Sequence, residues 1–331
     1  MKAAYITRTG PPEVIEYGDL PDPKPAPTQV LVRVGAVAVN PIDTYIRSSA
    51  VAMPLTFPYI PGCDLAGTVV SCGADVRAFK PGDRVWGSNQ GLFGRQGSFA
   101  ELAAVDERWL YPTPGDQPDT EAAAGALVGI TAHEGLFQNA ALKAGDTLFV
   151  NGGTGGVGAA VVQLGKFAGA RVIATVGSPE KKKLCESWGA DLAIDYHSPT
   201  LDDEIRQFAG PAGIDVWFET QREPTLDRTV AMMAPRGRIV LMSGRAARPE
   251  FPVGPFYTKD LRLSGFAMFN ASPEDQRAAA KTIAALYRRG GWKPLIGRTF
   301  PLAQAADAHR LQEDSTVNKK GGLTGKIVLV P

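Results

Sequence analysis

The chain lacks most of the residues and patterns that mark specialised classes of protein. Of 331 residues only three are cysteine, Cys63, Cys72 and Cys185, and they show no short repeating spacing. That leaves neither a disulfide framework nor a zinc ribbon, and the expected compartment is a reducing cytoplasm. An excess of one charge is missing too: 35 basic against 34 acidic residues give a formal net charge of +1, so nothing suggests a nucleic-acid surface. No apolar run has the length of a membrane span, and the opening Met1-Lys2-Ala-Ala-Tyr5-Ile6 alternates like a strand rather than reading as a signal peptide or anchor. Low-complexity tracts and repeats of solenoid length are absent. So are a Gly-x-Ser-x-Gly elbow and a paired-cysteine redox motif, which leaves hydrolase and dithiol chemistry without support.

What the chain does carry is one glycine-rich stretch in a telling context. Leu148, Phe149 and Val150 run into Asn151-Gly-Gly-Thr154-Gly155-Gly156-Val157-Gly158, and Val161, Val162 and Leu164 continue from it at helical spacing. Gly169 then ends the helix before a second apolar run, Arg171 to Val176. Strand, glycine turn and helix start in succession form the dinucleotide fingerprint. Glycines let the backbone approach a pyrophosphate, and the free N–H groups and positive dipole end of the helix face its charge.

Around this stretch the chain divides in two. Residues 1 to about 120 carry short alternating runs, such as Val30 to Val34, Gly67 to Ser71 and Asp83 to Trp86, punctuated at Pro21 to Pro27, Pro61-Gly62 and Pro81-Gly82-Asp83. This is the pattern of a barrel-like β domain. Helical sequence is expected from Thr120 to Ala124 and again from Thr131 to Gln138. From Asp146 strands and helices alternate, with strands at 148–150, 171–176, 192–194, 214–218, 238–242 and 261–266. Six strands with helices between them predict an α/β fold, a doubly wound parallel sheet of the Rossmann kind. A helix over Glu274 to Arg289, another over Pro301 to Gln312 and a closing strand, Gly325 to Val330, complete the chain. The closing strand alternates like the first domain and is expected to return to it.

With that organisation in place, Val39-Asn-Pro-Ile-Asp-Thr-Tyr-Ile-Arg-Ser48, Pro61-Gly-Cys-Asp-Leu-Ala-Gly67, Lys80-Pro-Gly-Asp-Arg-Val85, Thr154-Gly-Gly-Val-Gly158 and Thr324-Gly-Lys-Ile-Val328 resemble, nearly end to end, the zinc-independent quinone oxidoreductases of the medium-chain dehydrogenase/reductase superfamily, the zeta-crystallin group. The resemblance implies a discontinuous GroES-like domain, residues 1–124 and 268–331, around a Rossmann domain, 125–267, with a cleft between them. It also implies a homodimer built through the last Rossmann strand, for which Leu261 to Met268 is the candidate. The activity implied is NADPH-dependent hydride transfer to quinones. Reduction of α,β-unsaturated carbonyls and a non-catalytic NADPH-binding role are the alternatives.

The nucleotide can be read from the end of the second strand, where NAD-selective sites place a carboxylate about 20 residues past the glycines. Counting from Gly158, Gly177 lies 19 residues on, and Val176-Gly177-Ser178 holds no carboxylate. Ser178 and Lys181 to Lys183 instead offer room, a hydroxyl and cations for a 2′-phosphate. By resemblance Lys181 is the phosphate-binding lysine and Tyr196 packs near the adenosine phosphate. Thr154, Gly155, Gly156 and Val157 are then expected at the diphosphate. Asn40, Tyr45 and Thr131 are expected at the nicotinamide end, met by backbone of Met242 to Arg245, including Ser243 and Gly244, and of Phe266, Ala267 and Met268.

A catalytic zinc is not expected. Where zinc-dependent relatives carry Gly-His-Glu this chain has Gly62-Cys63-Asp64, and the other ligand positions fall at Val39 or Asn40 and near Leu127. Gly87 to Gly97 contains no cysteine for a structural zinc. Cys63 reads as a small buried residue. His133 reads as structural, and His197 and His309 as lying in polar surface contexts. Asp43 and Arg47 are expected to pair with each other. Tyr45 is the one candidate proton donor to the acceptor. Ser88 to Gln96 is expected to be loose, and Glu219-Thr-Gln-Arg-Glu223 departs from relatives in lacking a glycine after the fourth strand.

Overall fold

In the computed structural model, which describes every residue except Lys319 and Gly322, the chain forms two compact units. One joins Met1–Leu127 to Pro294–Pro331, and the other is Val128–Lys293.

The second unit is built on a six-stranded parallel sheet. In spatial order its strands are Leu192–Asp195, Arg171–Val176, Thr147–Asn151, Ile214–Glu219, Met233–Leu241 and Arg262–Gly265. The order steps outward from the glycine-turn strand in both directions, which is the doubly wound arrangement expected. Leu148, Phe149, Val150, Val172, Ile173 and Ala174 are all fully buried. Parallel strands read as unbroken apolar runs because both faces of the sheet are covered. The last strand is different: three of its four residues are exposed and Ser264 is half-buried, and its outer edge pairs with no described strand.

The first unit carries the antiparallel strands. The long strand Gln29–Val39 pairs on one side with Asp64–Cys72 and on the other with Leu102–Asp106 and, at its far end, with the closing strand Lys326–Val330. Ile327 lies opposite Val39 in that pairing, so the end of the chain does lie in the sheet begun near its start. Val30, Val32, Val37, Val39, Leu65, Val85, Phe99, Ile327 and Leu329 form one core with Ala305 and Ala308 of the helix Ala305–Thr316.

Several expectations need correction. The helical segments expected at 120–124 and 131–138 are one element, an α-helix Asp119–His133 that passes into a π-helical stretch Glu134–Asn139. Gly125 and Gly129 do not break it. Gly129 is needed there, since a Cβ would lie 2.7 Å from Ile283 Cδ1 and 3.0 Å from the Trp292 ring. That close packing also explains why the helix Pro273–Arg288, expected with residues 268–331, falls in the second unit. Its exit is held by Gln163, whose side chain accepts from Lys293 N at 2.7 Å and donates to Lys293 O at 3.3 Å.

His309, expected at the surface, is fully buried edge-on to Phe99. Burial holds its imidazole neutral, with the pKa lowered to about 3. Arg47 does not pair with Asp43. Its buried guanidinium donates from Nη2 to Glu313 on the C-terminal helix, tying the helix Pro41–Arg47 to Ala305–Thr316. The segment expected to be loose is packed in its first half, where Ser88, Asn89, Gln90 and Leu92 are buried and Tyr59 donates to Gly91 O at 2.7 Å, while Phe93, Gly94 and Gln96 are exposed.

Gln163→Leu should lower stability by about 1–3 kcal/mol, because the Lys293 N–H and C=O each lose a partner. Urea unfolding measures it, and an unchanged midpoint would show that Gln163 does not hold the segment after that helix.

Candidate functional site

The glycine turn is packed behind and bare in front. A Cβ on Gly153 would meet Ala174 Cβ at 2.6 Å and Cys185 Sγ at 2.9 Å, and one on Gly158 would meet Gly152 O at 2.0 Å. These two glycines press the turn onto the neighbouring strand and the helix start onto the turn. Gly152 has φ +91, a conformation that favours glycine. Gly155 is different: it is exposed, its φ is an ordinary −69, and a Cβ there would meet only Gly152 O, at 3.5 Å. Gly155 is the N-cap of the helix Gly156–Phe167, and no side chain caps that helix. Its first N–H groups therefore need an acceptor from outside the helix, and the positive dipole end stands beside exposed backbone. Thr154 is buried, Gly156 and Val157 are half-buried, and all belong to the same turn.

At the end of the next strand Gly177 lies under an aromatic ring. A Cβ there would sit 2.7 Å from Tyr196 Cε1, so Tyr196, itself 52% exposed, forms a shelf over bare backbone. Ser178 caps the helix Pro179–Ser187, accepting from Lys181 N at 3.3 Å. Lys181 is half-buried in the first turn of that helix, whereas Lys182 and Lys183 are exposed. Glu180 lies on the same turn, its carboxyl drawn below the usual range by a backbone hydrogen bond and then by Ser178.

Across the sheet Ser243 Oγ donates to Thr220 O at 3.0 Å and to Gln221 O at 2.5 Å. Gly244 has φ +82 and leaves no room for a side chain, with Arg222 O 2.6 Å from its Cβ position. Phe266 and Ala267 are half-buried and Met268 is 4% exposed. Thr131 is buried on the long helix beside His133, whose burial lowers its pKa to about 4. All of these second-unit positions except Thr131 lie in or beyond strand ends on one side of the sheet, the carboxyl side. That is where open α/β sheets bind ligands.

The first-unit candidates sit differently. Tyr45 is half-buried on the helix Pro41–Arg47. Asn40 is 1% exposed and bonded inside the protein at both ends of its amide. Its Nδ2 donates to Asp64 Oδ2 at 2.8 Å, its Oδ1 accepts from Lys326 Nζ, and its N–H donates to Asp43 Oδ2 at 2.8 Å. Lys326 Nζ also donates to Val39 O at 2.8 Å, and Ser88 donates to Asp64 Oδ1 at 2.7 Å. Cys63 is buried beside Asp43 and Asp64, and burial pushes its thiol well above the ordinary value. Lys326 and Asp64 escaped the sequence reading as a pair. The available signal was a lysine opening the apolar run Ile327 to Val330, a charge with no reason to be buried without a partner.

Asp43 is fully buried, and burial raises its carboxyl to about 7 despite the hydrogen bonds from Cys63 and Asn40 N. The folded chain then holds a proton that an unfolded carboxyl, ordinary value 3.8, releases. Its stability contribution is full below about pH 4 and lost as pH rises to about 7. Burial of His133 and His309 works in the opposite direction over part of this range. Asp43→Asn should therefore make stability rise more steeply with pH than in the native chain, by up to about 1.4 kcal/mol per pH unit between pH 4 and 7. Urea unfolding at a series of pH values measures the slope, and parallel curves would contradict the assignment.

Comparison with known proteins agrees with this geometry. The profile of the alcohol dehydrogenase GroES-like domain matches residues 26–115, and that of the zinc-binding dehydrogenases matches 156–285. A quinone oxidoreductase of Rattus norvegicus is 34% identical over 334 residues, covering 100% of this chain and 98% of the relative. The solved structure of a mycobacterial quinone oxidoreductase is 30% identical with TM-score 0.86, covering 100% of both chains. A mycobacterial protein solved in complex with NADPH is 29% identical with TM-score 0.84 over the same full coverage. Identity at this level along the whole chain makes it an oxidoreductase, and it belongs to the quinone oxidoreductase family of the medium-chain dehydrogenase/reductase superfamily.

Proposed function

We propose that the protein reduces quinones by hydride transfer from NADPH, without a catalytic metal. The observation that carries the cofactor reading is the exposed, uncapped Gly155 at a helix start, next to a strand end that bears no carboxylate. Thr154, Gly155, Gly156 and Val157 would hold the diphosphate on backbone N–H groups. Gly177, Ser178, Lys181 and Tyr196 would hold the adenosine and its 2′-phosphate, where an NAD-type site would instead need an acidic acceptor. A mycobacterial relative of the same fold is described with NADPH bound.

The bound cofactor supplies the hydride. What remains for the protein is to hold the nicotinamide and keep water out. Ser243, Gly244, Phe266, Ala267, Met268 and Thr131 are the second-unit residues assigned to the nicotinamide, and Tyr45 of the first unit is assigned by resemblance to the acceptor oxygen. Asn40 is assigned by resemblance to the nicotinamide end, with its amide held in place by Asp64 and Lys326. A quinone takes hydride readily because the resulting anion is aromatic and delocalised, so no Lewis acid is required. The ligand positions of zinc-dependent relatives support that reading: by resemblance they fall at Val39 or Asn40, at Cys63 and near Leu127, which offer one thiol and no histidine. Among the described residues no three His, Cys, Asp or Glu side chains are grouped to hold a metal.

A homodimer through Arg262–Gly265 is part of the same reading. That strand is the open edge of the sheet, and Leu263, Val253 and Tyr257 nearby in the chain are 38%, 62% and 66% exposed. Its unpaired backbone groups are available to a second copy. The three free cysteines suit a reducing, cytoplasmic setting, and no described helix is long and apolar enough to cross a membrane.

With 1,4-benzoquinone as acceptor, NADPH oxidation should be rapid, NADH oxidation at least about tenfold less efficient, and EDTA without effect. Lys181→Ala should raise the KM for NADPH about tenfold and leave that for NADH unchanged, the size of one charge-assisted phosphate contact. Equal use of the two nucleotides, or loss of activity to the chelator, would overturn the proposal. An enone tested alongside identifies the acceptor class.

A further inference from the structure

A buried carboxylate behind the glycine turn is not accounted for by any of the roles above. Glu219 ends the fourth strand and is 2% exposed. It faces donors only. Oε1 accepts from Asn151 Nδ2 at 2.9 Å and from Gln221 N at 2.8 Å, and Oε2 accepts from Asn151 Nδ2 at 3.0 Å and Trp217 Nε1 at 3.1 Å.

From Glu219 a continuous polar chain runs in both directions along the carboxyl edge of the sheet. On one side Asn151 Oδ1 accepts from Thr175 Oγ1 at 2.8 Å, and Thr175 Oγ1 accepts from Gly152 N, the first glycine of the turn, also at 2.8 Å. On the other side Thr220 Oγ1 donates to Asn151 O, while Thr220 O and Gln221 O accept from Ser243 Oγ. Four neighbouring strands are thus joined at their ends through one acid. Thr220 and Gln221 also lie directly over the turn: their side-chain Oγ1 and Nε2 come within 2.7 and 2.5 Å of the Cβ position of Gly152. The segment 219–223, in which the resemblance leads one to expect a glycine, is therefore the segment that closes this network.

We propose that Glu219 is a positioning residue for the dinucleotide, fixing the glycine turn and the Ser243–Gly244 loop in one register before the cofactor arrives. The inference rests on the dinucleotide reading above. An acid suits the position because all three donors aim at it, and a carboxylate is an acceptor only. An amide of the same shape would have to turn N–H hydrogens toward at least one donor, which loosens the link to Asn151 and through it the turn. Pre-setting the turn removes ordering cost from binding, so the loss should fall on ligands that use the diphosphate and not on those that use only the adenosine end.

The test is equilibrium titration of the native chain, Glu219→Gln and Thr175→Val with two probes, NADPH and adenosine 2′-phosphate, which lacks the diphosphate. Thermal melting of each protein accompanies it. Thr175→Val interrupts the same chain one step from Gly152 with a side chain of equal shape, and it decides the matter should Glu219→Gln fail to fold. The expected result is a loss of about tenfold in NADPH affinity in each folded variant, with adenosine 2′-phosphate affinity kept within twofold. Unchanged NADPH affinity overturns the positioning role. So does an equal loss for both probes, which marks a general structural effect. If the native chain binds adenosine 2′-phosphate but not NADPH, or neither, the dinucleotide reading fails first and takes the positioning role with it.

Discussion

The structure of the second unit depends on one requirement: a stretch of backbone must be bare on its outer side while everything behind it is tightly filled. The two sides call for opposite things from the same residue type. Gly153 and Gly158 are glycine because a Cβ would strike Cys185, Ala174 or the Gly152 carbonyl. Gly155 has space for a Cβ and a φ that any residue adopts, so neither packing nor conformation explains it. In the proposed reading it serves an approach from outside, toward N–H groups that the helix leaves uncapped.

The same logic of committed and uncommitted polar groups separates the candidates in the first unit. Asn40 looks like a lining residue in the sequence, and in the structure its amide bridges Asp64 and the Lys326 ammonium. Lys326 brings a positive charge into a pocket of two carboxyls and a thiol, Asp64, Asp43 and Cys63. Breaking such a set is costly because it strands a buried charge. Fixing Asn40, the N-cap of the helix Pro41–Arg47, also fixes the element that carries Tyr45. The Arg47 bond to Glu313 anchors the other end of that helix.

Much of this was legible in the sequence because parallel strands leave unbroken apolar runs and turns leave glycine and proline. The doubly wound sheet and the glycine turn at 151–158 follow from such local signals. What was not legible depended on contacts far apart in the chain. Arg47 was assigned to Asp43, four residues away, but its partner is Glu313, which no local spacing reveals. His309 sits among charged neighbours in the sequence and is buried against Phe99. The sequence shows the long helix as two segments, and its continuity is seen only with Gly129 and Gly135 making room for Ile283, Trp292 and Phe218. Glu219 was noted only as part of an unusual segment, and its burial depends on Asn151 in a neighbouring strand.

The most direct test of the central claim is the effect of Gly155→Val on NADPH binding, followed by nicotinamide fluorescence, together with thermal unfolding. Because Gly155 has φ −69 and an open Cβ direction, the account predicts a melting temperature close to that of the native chain and a loss of NADPH affinity of about 100-fold or more. NADPH binding that survives the substitution intact would contradict it.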